Sequence, residues 1–167
     1  MAEDPETAGA DSDPADENRL LLDSMLGKLA TYLRMCGYDA AYVLDSGEDP
    51  GDEQLLERAQ KEHRTLVTRD EQLARRAPES VFLRTKDIEA QLREFRDAGY
   101  DVSLSDEPVR CGSCNGRVVP VGDEADVPAY APDAEEAKRY RCRDCGQVFW
   151  RGSHWTDVAE RLDGLAE

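Results

Sequence analysis

The sequence predicts an α/β fold, a mainly parallel sheet covered by helices, with a small metal-held module after it. Three observations carry this. Short apolar runs alternate with stretches of helical periodicity from residue 19 to about residue 106. One of those runs stops abruptly at Asp23, another carries Arg69-Asp70 at its tip, and four of the five cysteines fall into two C-x-x-C pairs beyond residue 108. Alternation of this kind is the pattern of β-α units, and paired cysteines at that spacing favour metal.

The organising stretch runs from Arg19 to Ala40. Leu20 to Leu22 is a buried strand that stops at Asp23, and a helix is expected from about Ser24 to Cys36, with Leu26, Leu29, Ala30 and Leu33 on one stripe. Gly37 stands where a left-handed residue ends a helix. Ala40 to Leu44 is the next strand, followed by the irregular DSGEDPG. A helix opens at Asp52 with Leu55, Leu56 and Ala59 facing inward; Thr65 to Thr68 is a strand with Arg69 and Asp70 at its tip. Glu71 to Arg76 is a short helix, Val81 to Leu83 a strand, and Ile88, Leu92 and Phe95 mark a helix that Gly99 closes. Right-handed crossovers would then place every strand's C-terminal end on one edge.

Residues 1–18 are acidic, carry Pro5 and Pro14, and hold almost nothing apolar, so a disordered acidic tail is expected. Residues 19–106 form the α/β domain, 107–156 the metal-held ribbon, and 157–167 a C-terminal helical tail. Cys36, outside both pairs, reads as a small buried hydrophobe.

Composition restricts the partners. Asp and Glu number 37 against 21 Lys and Arg, a formal net charge of −16. In ordinary salt such a surface repels nucleic acid, which argues against a simple basic-groove binder. In about 1 M salt the Debye length is roughly 3 Å and the repulsion between distant charges vanishes. Few lysines and an acid excess along the whole chain read as the halophilic pattern; solubility from an acidic tail is the alternative. No apolar run reaches the roughly 18 residues of a membrane span, and the acidic N-terminus is no secretory signal. A cytoplasmic protein without membrane contact is expected; the sequence does not specify its oligomeric state.

Asp23 and Asp70 each follow an apolar strand, and Asp52 starts the intervening helix. Strand C-termini and helix N-termini share one edge of a parallel sheet, so the three acids can converge. Two like charges 4 Å apart repel by about 4 kcal/mol at an effective dielectric of 20, so convergence calls for a cation. Mg²⁺ or Mn²⁺ answers that need, since hard cations take oxygen ligands, activate water and steady a phosphodiester's charge. Each acid also has a plainer reading as a helix cap. Lys28 and Arg69 are placed to meet a phosphate, or are surface charges. Met25 stands where a haloacid-dehalogenase-type phosphatase needs its second aspartate, and no phosphate-binding glycine loop is present.

Cys111, Cys114, Cys142 and Cys145 supply four thiolates for a closed structural Zn²⁺ site. The 27-residue gap between the pairs, 115 to 141, exceeds the usual spacing, and a ribbon hairpin tolerates an insert at its tip. Trp150, Arg151, His154 and Trp155 form either a stacking and phosphate-contacting patch or, for the two tryptophans, packing between ribbon and α/β domain.

LLLDSMLGKLATYLRMCGYDA, D-x-x-L-L-x-x-A from Asp52 to Ala59, and LVTRD from Leu66 to Asp70 together resemble the PIN-like nuclease superfamily. Within it the chain is most similar to the RNase domain family named after the C-terminal region of the animal mutator-seven exonuclease. R-C-x-x-C-N at Arg110 to Asn115 and C-x-x-C-x-x-x-x-W-x-G-S-H-W at Cys142 to Trp155 extend the resemblance through the ribbon. It implies a PIN-like α/β sandwich, RNA cleavage dependent on Mg²⁺ or Mn²⁺, an RNA substrate and a structural zinc. By position Asp23, Asp52 and Asp70 match the family's acidic residues; PIN domains carry a fourth acid, and no residue here is matched to it. A non-catalytic RNA- or ribosome-associated zinc-ribbon adaptor is the alternative.

Overall fold

A computed structural model describes residues 19–105 and 107–165. The predicted acidic tail of residues 1–18 lies outside the described residues. The first sheet holds four parallel strands in the order β2-β1-β3-β4: β1 (Leu20–Leu22), β2 (Ala40–Tyr42), β3 (Thr65–Thr68) and β4 (Ser80–Phe82). Around it lie α1 (Gly27–Met35), α2 (Asp52–Lys61), α3 (Glu71–Arg76) and α4 (Ile88–Asp97). The second sheet is antiparallel, with β5 (Val118–Pro120), β6 (Tyr140–Cys142) and β7 (Val148–Phe149) in that order, and α5 (Ser153–Gly164) ends the chain. This is the expected parallel α/β sheet with a four-cysteine module behind it.

The LLL run has its explanation in strand geometry. Successive side chains point to opposite faces, so Leu20 and Leu22 enter one core while Leu21 enters the other. On the first face they meet Leu29 and Leu33 of α1, Leu92 and Phe95 of α4, and Val158 of α5. On the second, Leu21 and Leu66 meet Leu55 of α2 and Leu73 of α3. All three β1 leucines are fully buried, and burial of each contributes about 1.5–3 kcal/mol. Gly37 is left-handed as expected, with φ at +95°, and its N–H donates to Arg34 O at 2.9 Å, which closes α1.

Four boundaries differ from expectation. Ser24 and Met25 form a turn in which Leu26 N donates to Asp23 O at 3.0 Å, so α1 begins at Gly27. Strand β2 ends at Tyr42, because its one neighbour β1 ends opposite at Leu22; the chain then coils as a 3-10 turn over Val43–Ser46. Strand β4 is Ser80–Phe82, one residue earlier than expected. The last helix starts at Ser153 rather than Asp157; it buries Val158 and Leu162, with Leu165 just beyond its end, in the core that contains α1 and α4. Cys36 packs against that core, where burial and then the Asp101 charge push its thiol up to about 12, against an opposing backbone bond from Ser103. The thiol is inert. Among the described residues no helix is long and apolar enough to cross a membrane.

The ribbon seals the exposed edge of β2. Ala40 N donates to Asn115 Oδ1 at 2.9 Å, and Asn115 Nδ2 donates to Asp39 Oδ1 at 2.8 Å. An edge strand left open is a template for unwanted pairing, and the asparagine covers it. Arg64 also donates to Asp39 at 2.9 Å, and Arg110 lies 3.9 Å away. Burial works to raise the Asp39 pKa, but the hydrogen bonds from Arg64 and Asn115 and the two arginine charges prevail and hold it below 3.8. A carboxylate whose folded pKa is depressed stabilises the fold above its unfolded value, and that contribution is lost as pH falls through the folded value. Asp39→Asn is therefore less stable than wild type at neutral pH, and the gap closes as pH falls below 3.8. Urea midpoints of the two proteins across that range measure it; a gap independent of pH contradicts the assignment.

Candidate active site and metal centre

The strand order places a crevice at one point of the sheet. From β1 the chain moves outward to β2, then returns past β1 to β3 and continues to β4. The connecting helix α1 packs on one face and α2 on the other. Ligands of open α/β sheets bind outside the carboxyl ends of the strands where the order reverses. Here that point lies between the ends of β1 and β3, and the residues following those ends are Asp23 and Arg69-Asp70.

Asp23 is 8% exposed, the one buried carboxylate among the described residues. Its Oδ1 accepts from Ser24 N and its Oδ2 from Thr68 Oγ1, both at 2.7 Å. Thr68 Oγ1 in turn accepts from Asp70 N at 3.0 Å. One buried hydroxyl thus bridges the two strand ends and couples the position of Asp70 to that of Asp23. Asp23 does not cap α1 with its side chain, whereas Asp70 does cap α3, accepting from Leu73 N at 3.2 Å. Asp70 itself is exposed beyond that bond.

Asp52 is exposed, and it is the first helical residue of α2 rather than its cap, which is Gly51. There it complements the helix dipole. Arg69 Nε is buried and has no hydrogen-bond partner among the described residues. Lys28 is exposed in the first turn of α1. The structure therefore ties Asp23 to Asp70 through Thr68 and leaves Asp52 without a direct bond to either. Thr68 was not singled out from the sequence. Its signal was available: a hydroxyl ending a fully buried strand, in register beside the residue that follows Leu22.

Among the described residues, one group of three or more potential ligands has all its ligand atoms within 4.8 Å of one another, namely Cys111, Cys114, Cys142 and Cys145. Cys111 Sγ lies 3.7 Å from Cys145 Sγ, and Cys114 Sγ lies 3.5 Å from Cys142 Sγ. A tetrahedron with Zn–S bonds of about 2.3 Å has S–S edges of about 3.8 Å, so the four sulfurs fit Zn²⁺. Asp144 N and Cys145 N donate to Cys142 Sγ at 3.3 and 3.4 Å, the bonds of a metal-binding knuckle. Burial pushes the Cys114 thiol up to about 12, and the Cys142 and Cys145 sulfurs add to this against an opposing N–H from Gly116. At Cys142 burial also raises the pKa, but the N–H groups of Cys145 and Asp144 reverse it.

Trp150, His154 and Trp155 line an open cleft between ribbon and α/β core, the two tryptophans half-buried there. They neither seal the junction nor stand free on the surface. Arg34, also unremarked in the sequence, is 2% exposed at the same junction. It donates to Ala40 O at 2.9 Å, Gly112 O at 3.0 Å and Asp45 Oδ2 at 2.8 Å, tying α1, β2 and the first knuckle together.

No curated protein and no solved structure matches the chain. A family model does, that of the Mut7-C RNAse domain, over residues 18–162. That span takes in the strand-end aspartates, both cysteine knuckles and most of the last helix. By that match the chain belongs to the Mut7-C RNAse domain family.

Proposed function

We propose that the protein is a divalent-metal-dependent ribonuclease, in which Asp23, Asp52 and Asp70 hold Mg²⁺ or Mn²⁺ and Lys28 and Arg69 contact the RNA phosphodiester. The observation that carries this reading is the pairing of Asp23 and Asp70 through Thr68 at the sheet's reversal point, in a chain of an RNase family. The donor set is hard oxygen, the kind these ions take, and they keep several waters when bound. Ligands need not therefore pack as tightly as the thiolates do, and an exposed Asp52 at the tip of α2 has the freedom to close on the ion. Such an ion supplies water activation and neutralises charge building on the phosphorus.

The protein's own residues do the positioning. Asp23 is the fixed member, since both of its oxygens are held by donors. Thr68 orients it and, through Asp70 N, sets the start of α3. Arg69 brings an unsatisfied guanidinium donor to the same strand end, and a phosphate oxygen meets that demand. In the reaction a water oxygen bonds to phosphorus, the bond from phosphorus to one ribose oxygen breaks, and that oxygen leaves with a proton.

The acid excess fits work in concentrated salt, and we propose a cytoplasm of that kind as the setting. The test is cleavage of single-stranded RNA with Mn²⁺ in about 1 M KCl, where charge repulsion over distance is screened. Cleavage that requires the ion and fails in Asp23→Asn supports the reading. RNA binding indifferent to chelator, with no cleavage in any divalent ion, puts a zinc-ribbon adaptor in its place.

A further inference from the structure

Where α1 and the end of β2 meet the ribbon and the start of α5 there is a cleft of about 730 Å³. Its walls carry Tyr42, Tyr130, Phe149, Trp150, His154 and Trp155. That volume lies within the roughly 300–1,000 Å³ of small-ligand sites. Tyr130 comes from the insert between the two cysteine pairs and is 56% exposed, an unusual exposure for so large a ring. Its ring centroid is 6.1 Å from that of Trp150, and its hydroxyl accepts from Val148 N at 3.1 Å, so the insert is fastened to the ribbon with its ring open to solvent.

Tyr42 connects this cleft to the acidic rim. Its ring lines the cleft, and its hydroxyl donates to the carbonyl of Ser24, the residue after Asp23, at 2.6 Å. A Cβ on Gly27 would stand 3.1 Å from that ring, so a glycine at the start of α1 is what lets the tyrosine lie so close. Tyr42 therefore links the cleft to the residue that follows Asp23.

We infer that the cleft takes one or two unpaired nucleobases of the RNA strand whose phosphates reach the acidic rim. The identity of the strand rests on the ribonuclease reading. Three features select a base over other occupants. Aromatic walls match a planar ring, and every base has a face that stacks. Polar groups stand at the cleft's edge to meet a base's hydrogen-bonding atoms: His154, and Ser113 with Gln147, bonded to each other at 3.0 Å. An aliphatic chain makes no use of the His154 ring or of the Gln147 amide N–H groups. Finally, a chain with a net charge of −16 has no long-range hold on a polyanion, so short-range contacts must retain the strand, and stacking adds to the phosphate contacts of Lys28 and Arg69.

The test uses the full chain carrying Asp23→Asn, so that the strand is bound and not cut, in about 1 M KCl. Fluorescence anisotropy measures Kd for a single-stranded oligouridylate and for an abasic strand of equal length. Adding Tyr130→Ala or Trp155→Ala raises Kd for the oligouridylate about 10-fold each and leaves the abasic strand unaffected, while Trp155→Phe restores most of the affinity. Unchanged affinity in both alanine variants overturns the inference, as does an equal loss on the abasic strand or no binding by the parent. Cleavage by the protein with Asp23 intact is measured in parallel. Cleavage with unaltered Kd in the variants sinks the cleft alone; weakened binding in the variants without any cleavage keeps the cleft and sinks the nuclease.

Discussion

Asp23→Asn lowers Mn²⁺-supported cleavage of single-stranded RNA by about 100-fold or more, the scale of losing a principal charge-stabilising group in an active site. The same change costs the fold little. Asparagine is isosteric, and its one acceptor oxygen keeps either the Ser24 N–H or the Thr68 hydroxyl, so the loss is about one hydrogen bond, or about 1 kcal/mol. Asp70→Asn sharpens the comparison. Asp70 caps α3 through Leu73 N, and asparagine caps helices as well as aspartate does. Its stability should stay at the wild-type value while cleavage falls. Initial rates and thermal midpoints for the three proteins measure both quantities. Equal rates in all three would return Asp23 and Asp70 to structural roles.

How much of this was readable in the chain depends on the range of the forces involved. Leu20 to Leu22 and Thr65 to Thr68 were legible as strands because burial on both faces writes a continuous apolar run. Gly37 was legible because its backbone conformation is a local matter. The end of β2 was not, since nothing in Val43 or Leu44 disfavours a strand; only the length of β1 beside it removes their partner. Asp23 and Asp70 could be nominated from strand ends, and a hydroxyl closing the buried TLVT run was there to be noticed, but that it joins the two acids depends on strand register, which a single sequence does not give. Arg34 lies off the apolar stripe of its helix and drew no notice in the sequence. Its burial depends on three carbonyl and carboxylate acceptors supplied by segments up to 78 residues away. Cys111, Cys114, Cys142 and Cys145 were the easiest of all, because ligand spacing within a knuckle is local and only the pairing of knuckles is not.

With Zn²⁺ as the ion that the four thiolates are expected to hold, its removal, or loss of one thiolate in Cys142→Ser, is expected to unfold the ribbon and leave the first sheet standing. The ribbon has little else to hold it: strands of three, three and two residues around a core of Cys111, Val118, Tyr140 and Cys142. So small a core cannot offset the chain entropy it orders. Zinc binding in peptides of comparable size is worth about 10–16 kcal/mol, and that binding energy is folding energy. The consequences run beyond the ribbon, because it is bonded to the edge of the first sheet. Loss of its fold withdraws Asn115 from Ala40 N and Asp39, and withdraws Gly112 O from the buried Arg34. Amide exchange should then accelerate across residues 109–149 and at Ala40, while the central strands β1 and β3 stay protected by their own ladders and by leucines on both faces. Hydrogen exchange with and without a zinc chelator reads this residue by residue, with zinc content measured alongside. Ribbon amides that exchange at the same rate once the metal is gone would mean that the cysteines do not hold the module together.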